Sequence, residues 1–297
     1  MDILYLVLTV AGTILMAANS ILFIRFIFNG RDVMTQHGKR NVVMSDAIII
    51  LMGCYVIAGM VLIIKRFFHP FIAIMMFAFS LMVLLILILL SRITSTVKES
   101  SLELSELLVG MIETRDPNIN GHSRYVMNLV SLFYDYLPDQ VRKKVNRVSL
   151  EYAALMHNIG NIGVPESILS KGEKLSLEEW IIIYQHPRIS TRLLDRLPGF
   201  DEVKDWILYH HERVDGKGYY KLNEGQIPLA SKIIAVADTY AALTSRRSFR
   251  RQRSYEQAMK AIREAAGTQL DEQLVEYFCR LPQDKLKECR PPLLELI

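Results

Sequence analysis

Three stretches near the amino terminus contain no charged residue: Ile3 to Ile24, Ala47 to Ile64 and Phe71 to Leu90. Each reaches the roughly 18–20 residues that a helix rising about 1.5 Å per residue needs to cross a hydrocarbon core about 30 Å thick. Three transmembrane helices are therefore predicted, at about 3–24, 43–64 and 70–90. They explain why 51% of the residues are hydrophobic, too many for an ordinary soluble chain. The alternative for the first run is a cleaved signal peptide, but no Lys or Arg precedes it and two further spans follow.

Orientation follows from the loop charges. Arg25, Arg31, Lys39 and Arg40 lie between spans one and two, against Lys65 and Arg66 between two and three. The excess of Lys and Arg marks the cytoplasmic side, so the amino terminus is expected outside and everything after Arg92 in the cytoplasm. The net charge of +4 is mild and partly made of these flanking residues, so nucleic-acid binding is not expected. Cys54, Cys279 and Cys289 form no metal or redox motif, and an odd count in a cytoplasmic region argues against a disulfide framework.

The organisation expected is a membrane domain over 1–91, a linker helix over 92–112, a helical domain over 113–281 and a tail over 282–297. In the linker, Ile93, Val97, Ser100, Leu104, Leu107 and Met111 follow the four-three spacing of a coiled-coil seam. A homodimer through this helix is one expectation; a single amphipathic helix packed on its own domain is the other. Beyond it, amphipathic stretches at 123–137, 142–157, 176–196, 200–211, 229–245, 254–266 and 270–280 are separated by Gly, Pro and Asn clusters. No alternating or turn-spaced β pattern occurs, so the fold class is all-α.

Five of the seven histidines, His122, His157, His186, His210 and His211, fall within this region, and Asp238 follows in an apolar run. Imidazole and carboxylate together are the ligands of metal-dependent hydrolases. Each histidine stands at an expected helix end or beside a breaker. Adjacent helical residues point about 100° apart, so His210 and His211 can share one ion only near a helix terminus. Satisfied or solvated histidines without a metal would explain any one of the five, but fit the whole set poorly.

The blocks that carry these residues resemble HD-GYP domains, a subgroup of the HD superfamily of metal-dependent phosphohydrolases. Glu113 to Ser123, with Asp116, Asn120, Gly121 and His122, resembles their opening block. Leu155 to Pro165 is similar to their HD block and His186-Pro187 to their next histidine. His210 to Tyr220 and Ile227 to Leu229 resemble the block with the GYP signature, here Gly218, Tyr219 and Tyr220, and Ala235 to Asp238 and Ala265 to Gln269 complete the series. The resemblance implies an all-α fold and, in active members, a two-metal centre, commonly iron or manganese, that hydrolyses the bacterial second messenger cyclic di-GMP; with the three spans, a place at the bacterial inner membrane is expected. It further implies that His122, His157 and Asp238 hold one metal and that His186, His210 and His211 hold the other.

The chain departs from the family pattern where chemistry is concentrated. Asn158 stands in place of the bridging Asp. Two divalent ions about 3.5–4 Å apart repel, and a bridging carboxylate offsets that repulsion where an amide offers only a neutral carbonyl. Asn161 replaces a usual Lys near the substrate phosphate, Ala241 replaces a usual Asp, and Tyr220 replaces the proline of GYP; Asp116 is retained. Arg247 and Arg250 match basic family positions toward the phosphates, within a run that would otherwise face solvent or anionic lipid. The favoured expectation is a catalytically impaired membrane protein that receives cyclic di-GMP, a related nucleotide or a protein partner. An active phosphodiesterase and an interaction module without metal or nucleotide are the alternatives.

Overall fold

A computed structural model describes residues 2–34, 38–67, 69–115, 121–195, 201–245 and 251–291. It divides into two compact units, Met1–Ser101 and Leu102–Ile297. The described residues form helices joined by turns and loops, with one isolated β-bridge between Ala266 and Leu270 and no strand among them. The all-α class read from the sequence is what the chain adopts.

The first unit is built from α1 (Asp2–Met34), α2 (Gly38–Ile64) and the amino-terminal part of α3 (Pro70–Glu113). Segments Ile3–Ile27, Asp46–Ile64 and Pro70–Thr96 are long and apolar enough to cross a membrane. Apolar side chains alone give no strong drive for association in lipid, so helices there are held by close packing and interhelical hydrogen bonds. Here Asn19 Nδ2 donates to the Ser80 carbonyl at 2.8 Å, and Ser80 Oγ donates to the Gly12 carbonyl at 2.8 Å, tying α1 to α3. Ser80 and Asn19 are fully buried. The stretch expected as a separate linker helix continues α3 without a break to Glu113.

In the second unit, α4 (His122–Tyr136), α5 (Asp139–Arg142), α6 (Arg147–Met156), a 3₁₀ turn (Ile159–Gly163) and α7 (Glu166–Leu169) come first. Then follow α8 (Leu177–Ile183), α9 (His186–Leu194), α10 (Asp201–Leu208) and a short 3₁₀ turn (Glu224–Gln226). The chain continues with α11 (Leu229–Thr244), α12 (Tyr255–Ala265), α13 (Glu272–Phe278) and α14 (Gln283–Glu288). On α4, Val126, Leu129, Val130 and Phe133 recur at helical spacing and are fully buried, packing toward α6 and α11. Phe133 meets Phe278 of α13 edge-on at 5.1 Å. Leu150, Ile233, Ile234 and Ile262 complete this core, each buried Leu or Ile contributing about 1.5–3 kcal/mol.

Side-chain caps set several helix starts. Asn146 accepts from the Ser149 amide before α6, Asp271 from the Leu274 amide before α13, and Ser176 with Glu179, like Ser254 with Gln257, forms a capping box. The one long helix expected over 176–196 is two, α8 and α9, separated by Tyr184 and Gln185. The break has a local cause. Pro187 has no N–H to continue an incoming helix, but it is tolerated in the first turn of a new one.

Candidate metal centre

Each candidate ligand sits where an element begins, ends or is locked by a neighbour. His122 opens α4 after Gly121, His157 closes α6, and His186 opens α9. His210 and His211 follow the end of α10 at Leu208, in the turn over Tyr209–His211. This turn lets adjacent side chains converge, and the two rings lie 3.9 Å apart. Asp238 projects from the middle of α11, 17% exposed, and His122 Nε2 lies 2.9 Å from its Oδ1.

The ligand atoms form two groups. Those of His122, His157 and Asp238 all lie within 4.8 Å of one another, as do those of His186, His210 and His211. The groups are adjacent, because the His157 and His210 rings are 5.1 Å apart. The six residues singled out in the sequence are thus brought to one place.

Backbone carbonyls fix the ring tautomers. Nδ1 of His157 faces the Ala154 carbonyl at 2.7 Å, that of His186 the Ile183 carbonyl at 2.8 Å, and that of His210 the Ile207 carbonyl at 2.6 Å. A carbonyl only accepts, so Nδ1 carries the proton and Nε2 keeps its lone pair, the arrangement usual in metal-ligating histidine. Nε2 of His186 and of His210 is buried with no hydrogen-bond partner among the described residues. Native proteins rarely leave such atoms unpaired, so these residues fit a divalent cation.

Burial keeps four of the imidazoles, those of His157, His186, His210 and His211, neutral. It pushes His157 and His186 down to about 4, His211 down to about 3, and His210 well below its ordinary value. Burial alone would push the Asp238 carboxyl up, but the hydrogen bond with His122 holds it well below the usual range. Neutral imidazoles and one carboxylate are the protonation states that metal binding requires.

Asn158 lies inside this arrangement. Its Nδ2 is 2.7 Å from His157 Nε2. Since that nitrogen is an acceptor, the amide donates to the lone pair that would otherwise face a metal. A carboxylate at this position has no proton to donate. Asn161 is buried in the 3₁₀ turn that follows, and Ala241 is fully buried in the core. Asp116, Arg247 and Arg250 lie outside the described residues.

Two supports were not singled out by the sequence. Ser190 Oγ accepts from the Gly160 amide at 2.8 Å and donates to the His157 carbonyl at 3.1 Å, binding the 3₁₀ turn to α9. A Cβ on Gly160 would fall 1.9 Å from the His186 carbonyl oxygen, so only glycine allows this approach. The buried Glu212 accepts from the Tyr220 amide at 2.6 Å and the Leu222 amide at 2.8 Å, holding the signature loop. The first of these bonds exists because Tyr220 has the N–H that a proline lacks. The available signal for Glu212 is its place between the histidine pair and a glycine-rich loop.

Comparison with known proteins gives the family context. The model of the HD domain family, described as "HD domain", matches residues 106–274. A cyclic di-GMP phosphodiesterase of Thermotoga maritima is 34% identical over 61% of this chain and 50% of its own length. A 3'3'-cGAMP-specific phosphodiesterase of Vibrio cholerae is 31% identical over 54% of this chain and 35% of its own. A solved HDG"Y"P protein from Bdellovibrio bacteriovorus aligns over 56% of this chain and 51% of its own, with 21% identity and a TM-score of 0.44. The chain spans about half the length, or less, of these curated relatives.

Proposed function

Because this chain belongs to the HD domain family, we propose that it is a membrane-anchored cyclic dinucleotide signalling protein of HD-GYP type, with strongly impaired hydrolysis. The observation that carries the proposal is the Asn158 amide donating to His157 Nε2 at 2.7 Å, where the family's bridging carboxylate is expected. Metal binding there must displace a hydrogen bond, about 0.5–1.5 kcal/mol, and it also lacks the anion that would hold two cations together.

His122, His157 and Asp238 would hold one divalent ion and His186, His210 and His211 a second, iron or manganese suiting this donor set. When bound, such ions polarise the phosphodiester and lower the barrier to water attack. The residues contribute preset tautomers and a single carboxylate, Asp238. Arg247 and Arg250 are assigned to the phosphates, and Asn161 cannot supply the cation whose position it occupies. Relatives named as phosphodiesterases of cyclic di-GMP and of 3'3'-cGAMP support a cyclic dinucleotide as ligand.

The three apolar helices would anchor the chain in a bacterial inner membrane with the amino terminus outside, in contact with lipid. On the last turns of α3, Leu104, Leu107 and Met111 are each 60% or more exposed, which supports self-association or a protein partner along this face.

The second reading is an active phosphodiesterase. The complete assembly of six ligand residues, with free lone pairs on His186 and His210, favours it. Metal content and cyclic di-GMP turnover of the full chain in detergent, loaded anaerobically with Fe(II) or Mn(II), separate the readings. Metal bound without turnover supports the impaired receptor; turnover above a His157→Ala control supports the enzyme. Absence of both metal and nucleotide binding would leave an interaction module.

A further inference from the structure

Beside the histidine centre lies a pocket of about 290 Å³ lined by Ile181, Tyr184, Gln185, Arg188, Tyr219 and Tyr220. The Tyr219 ring lies 4.2 Å from that of Tyr184 and 4.7 Å from that of His211, so one aromatic ring separates the pocket from the candidate metal ligands. Tyr184 is 43% and Tyr220 38% exposed, leaving π surface open to solvent. Arg188 is exposed and pairs with no carboxylate among the described residues. Small-molecule pockets run from roughly 300 to 1,000 Å³, so this volume suits one heteroaromatic ring system, not a whole dinucleotide.

We propose that this pocket is a nucleobase subsite that takes one guanine of a cyclic dinucleotide whose phosphodiester lies at the histidine centre. The inference rests on the cyclic dinucleotide reading above and adds the base that is read and the residues that read it. Every base has a π face that stacks on tyrosine, which gives affinity without choice of base. Choice comes from the edge. The Arg188 guanidinium offers two parallel N–H groups to guanine O6 and N7, whereas adenine presents a donor, N6, in place of O6. Gln185 can pair with adenine N6 and N7, so removing Arg188 leaves an amide as the main edge-reading group. Tyr220, which stands where the family signature has proline, supplies a wall that a proline ring cannot provide as an extended π surface.

The test is equilibrium dialysis of the full chain in detergent with Mn(II), against cyclic di-GMP and cyclic di-AMP in parallel, for the parent, Arg188→Ala and Tyr220→Leu. The parent is expected to prefer cyclic di-GMP by about tenfold or more. Arg188→Ala should bring the two affinities within about twofold of each other with unchanged metal content. Tyr220→Leu, which keeps the backbone N–H used by Glu212, should weaken both ligands about tenfold. A general structural defect would lower both affinities in Arg188→Ala and preserve their ratio; an unchanged ratio overturns the subsite. A parent that binds neither dinucleotide overturns both the subsite and the nucleotide reading it rests on, whereas binding that both variants retain overturns the subsite alone.

Discussion

Asn158 Nδ2 and His157 Nε2 are 2.7 Å apart, with His157 Nδ1 committed to the Ala154 carbonyl, so the amide occupies the one ring lone pair that His157 has left to offer a metal. On the proposed reading, an Asn at this position therefore does more than withhold a charge. It places a donor on a neighbouring ligand.

Asn158→Asp combined with Asn161→Lys is accordingly predicted to raise metal occupancy. Replacing a competing amide by a bridging anion should tighten Mn(II) binding about tenfold or more, since a released hydrogen bond and a new charge contact act together. Metal content per chain after dialysis against a fixed Mn(II) concentration measures it. A double variant that retains no more metal than the parent would show that position 158 does not limit the site.

Stability without metal should depend on acid in a defined window. His157 and His186 are held down to about 4 and His211 to about 3, against about 6.5 when unfolded. Below pH 6.5 the unfolded chain takes up protons that the folded chain refuses. The stabilisation is therefore complete above that pH and is lost as pH falls toward 4, by about 1.4 kcal/mol per pH unit for each histidine. The melting temperature of the metal-free protein should fall steeply between pH 6.5 and 4. A flat profile across that range would contradict the neutral, buried state of these rings.

Gly218 is predicted to reject any side chain. A Cβ there would lie 2.6 Å from Glu212 Cα and 2.8 Å from the Arg213 amide nitrogen, which are backbone atoms that cannot swing aside. Gly218→Ala should cost about 1–3 kcal/mol and loosen the loop that Glu212 holds. Faster hydrogen exchange at the Tyr220 and Leu222 amides is the expected readout; unchanged protection would mean the loop adapts without cost.

In the apolar unit, Ser80 and Asn19 should behave differently although they lie in one network. The Ser80 hydroxyl donates to the Gly12 and Met76 carbonyls, whereas Asn19 donates to Ser80 and leaves Oδ1 buried without a partner among the described residues. Ser80→Ala should lower stability in detergent by about 0.6–1.7 kcal/mol. Asn19→Leu should cost less, because removing the stranded acceptor offsets the lost bond. Equal losses would show that the Asn19 oxygen is not a liability.

Much of this architecture was legible because its signals are local. Charge-free runs of membrane length, 3.6-residue periodicity on α4 and α11, and breakers beside His122, His157 and His186 can each be read from neighbouring residues. The convergence of His210 and His211 was foreseeable from a helix end near them. The split between α8 and α9 was not, because apolar periodicity continues through Tyr184 and only Pro187 hints at a new start. The bonds from Ser190 to Gly160 and His157, and from Glu212 to the signature loop, join separate parts of the chain, which no local pattern records. Asn158 itself was visible as a residue type. Its contact with His157 Nε2 depends on side-chain geometry that only the fold supplies.

The most direct test of the central claim is turnover of cyclic di-GMP by the full chain in detergent, loaded anaerobically with Mn(II), beside the Asn158→Asp/Asn161→Lys and His157→Ala variants. The account predicts that the parent binds the nucleotide but turns it over at the His157→Ala background level, with the double variant at least about a hundredfold faster, or about 2.7 kcal/mol in the barrier. A parent that hydrolyses cyclic di-GMP as fast as the double variant would contradict it and make this chain a working phosphodiesterase.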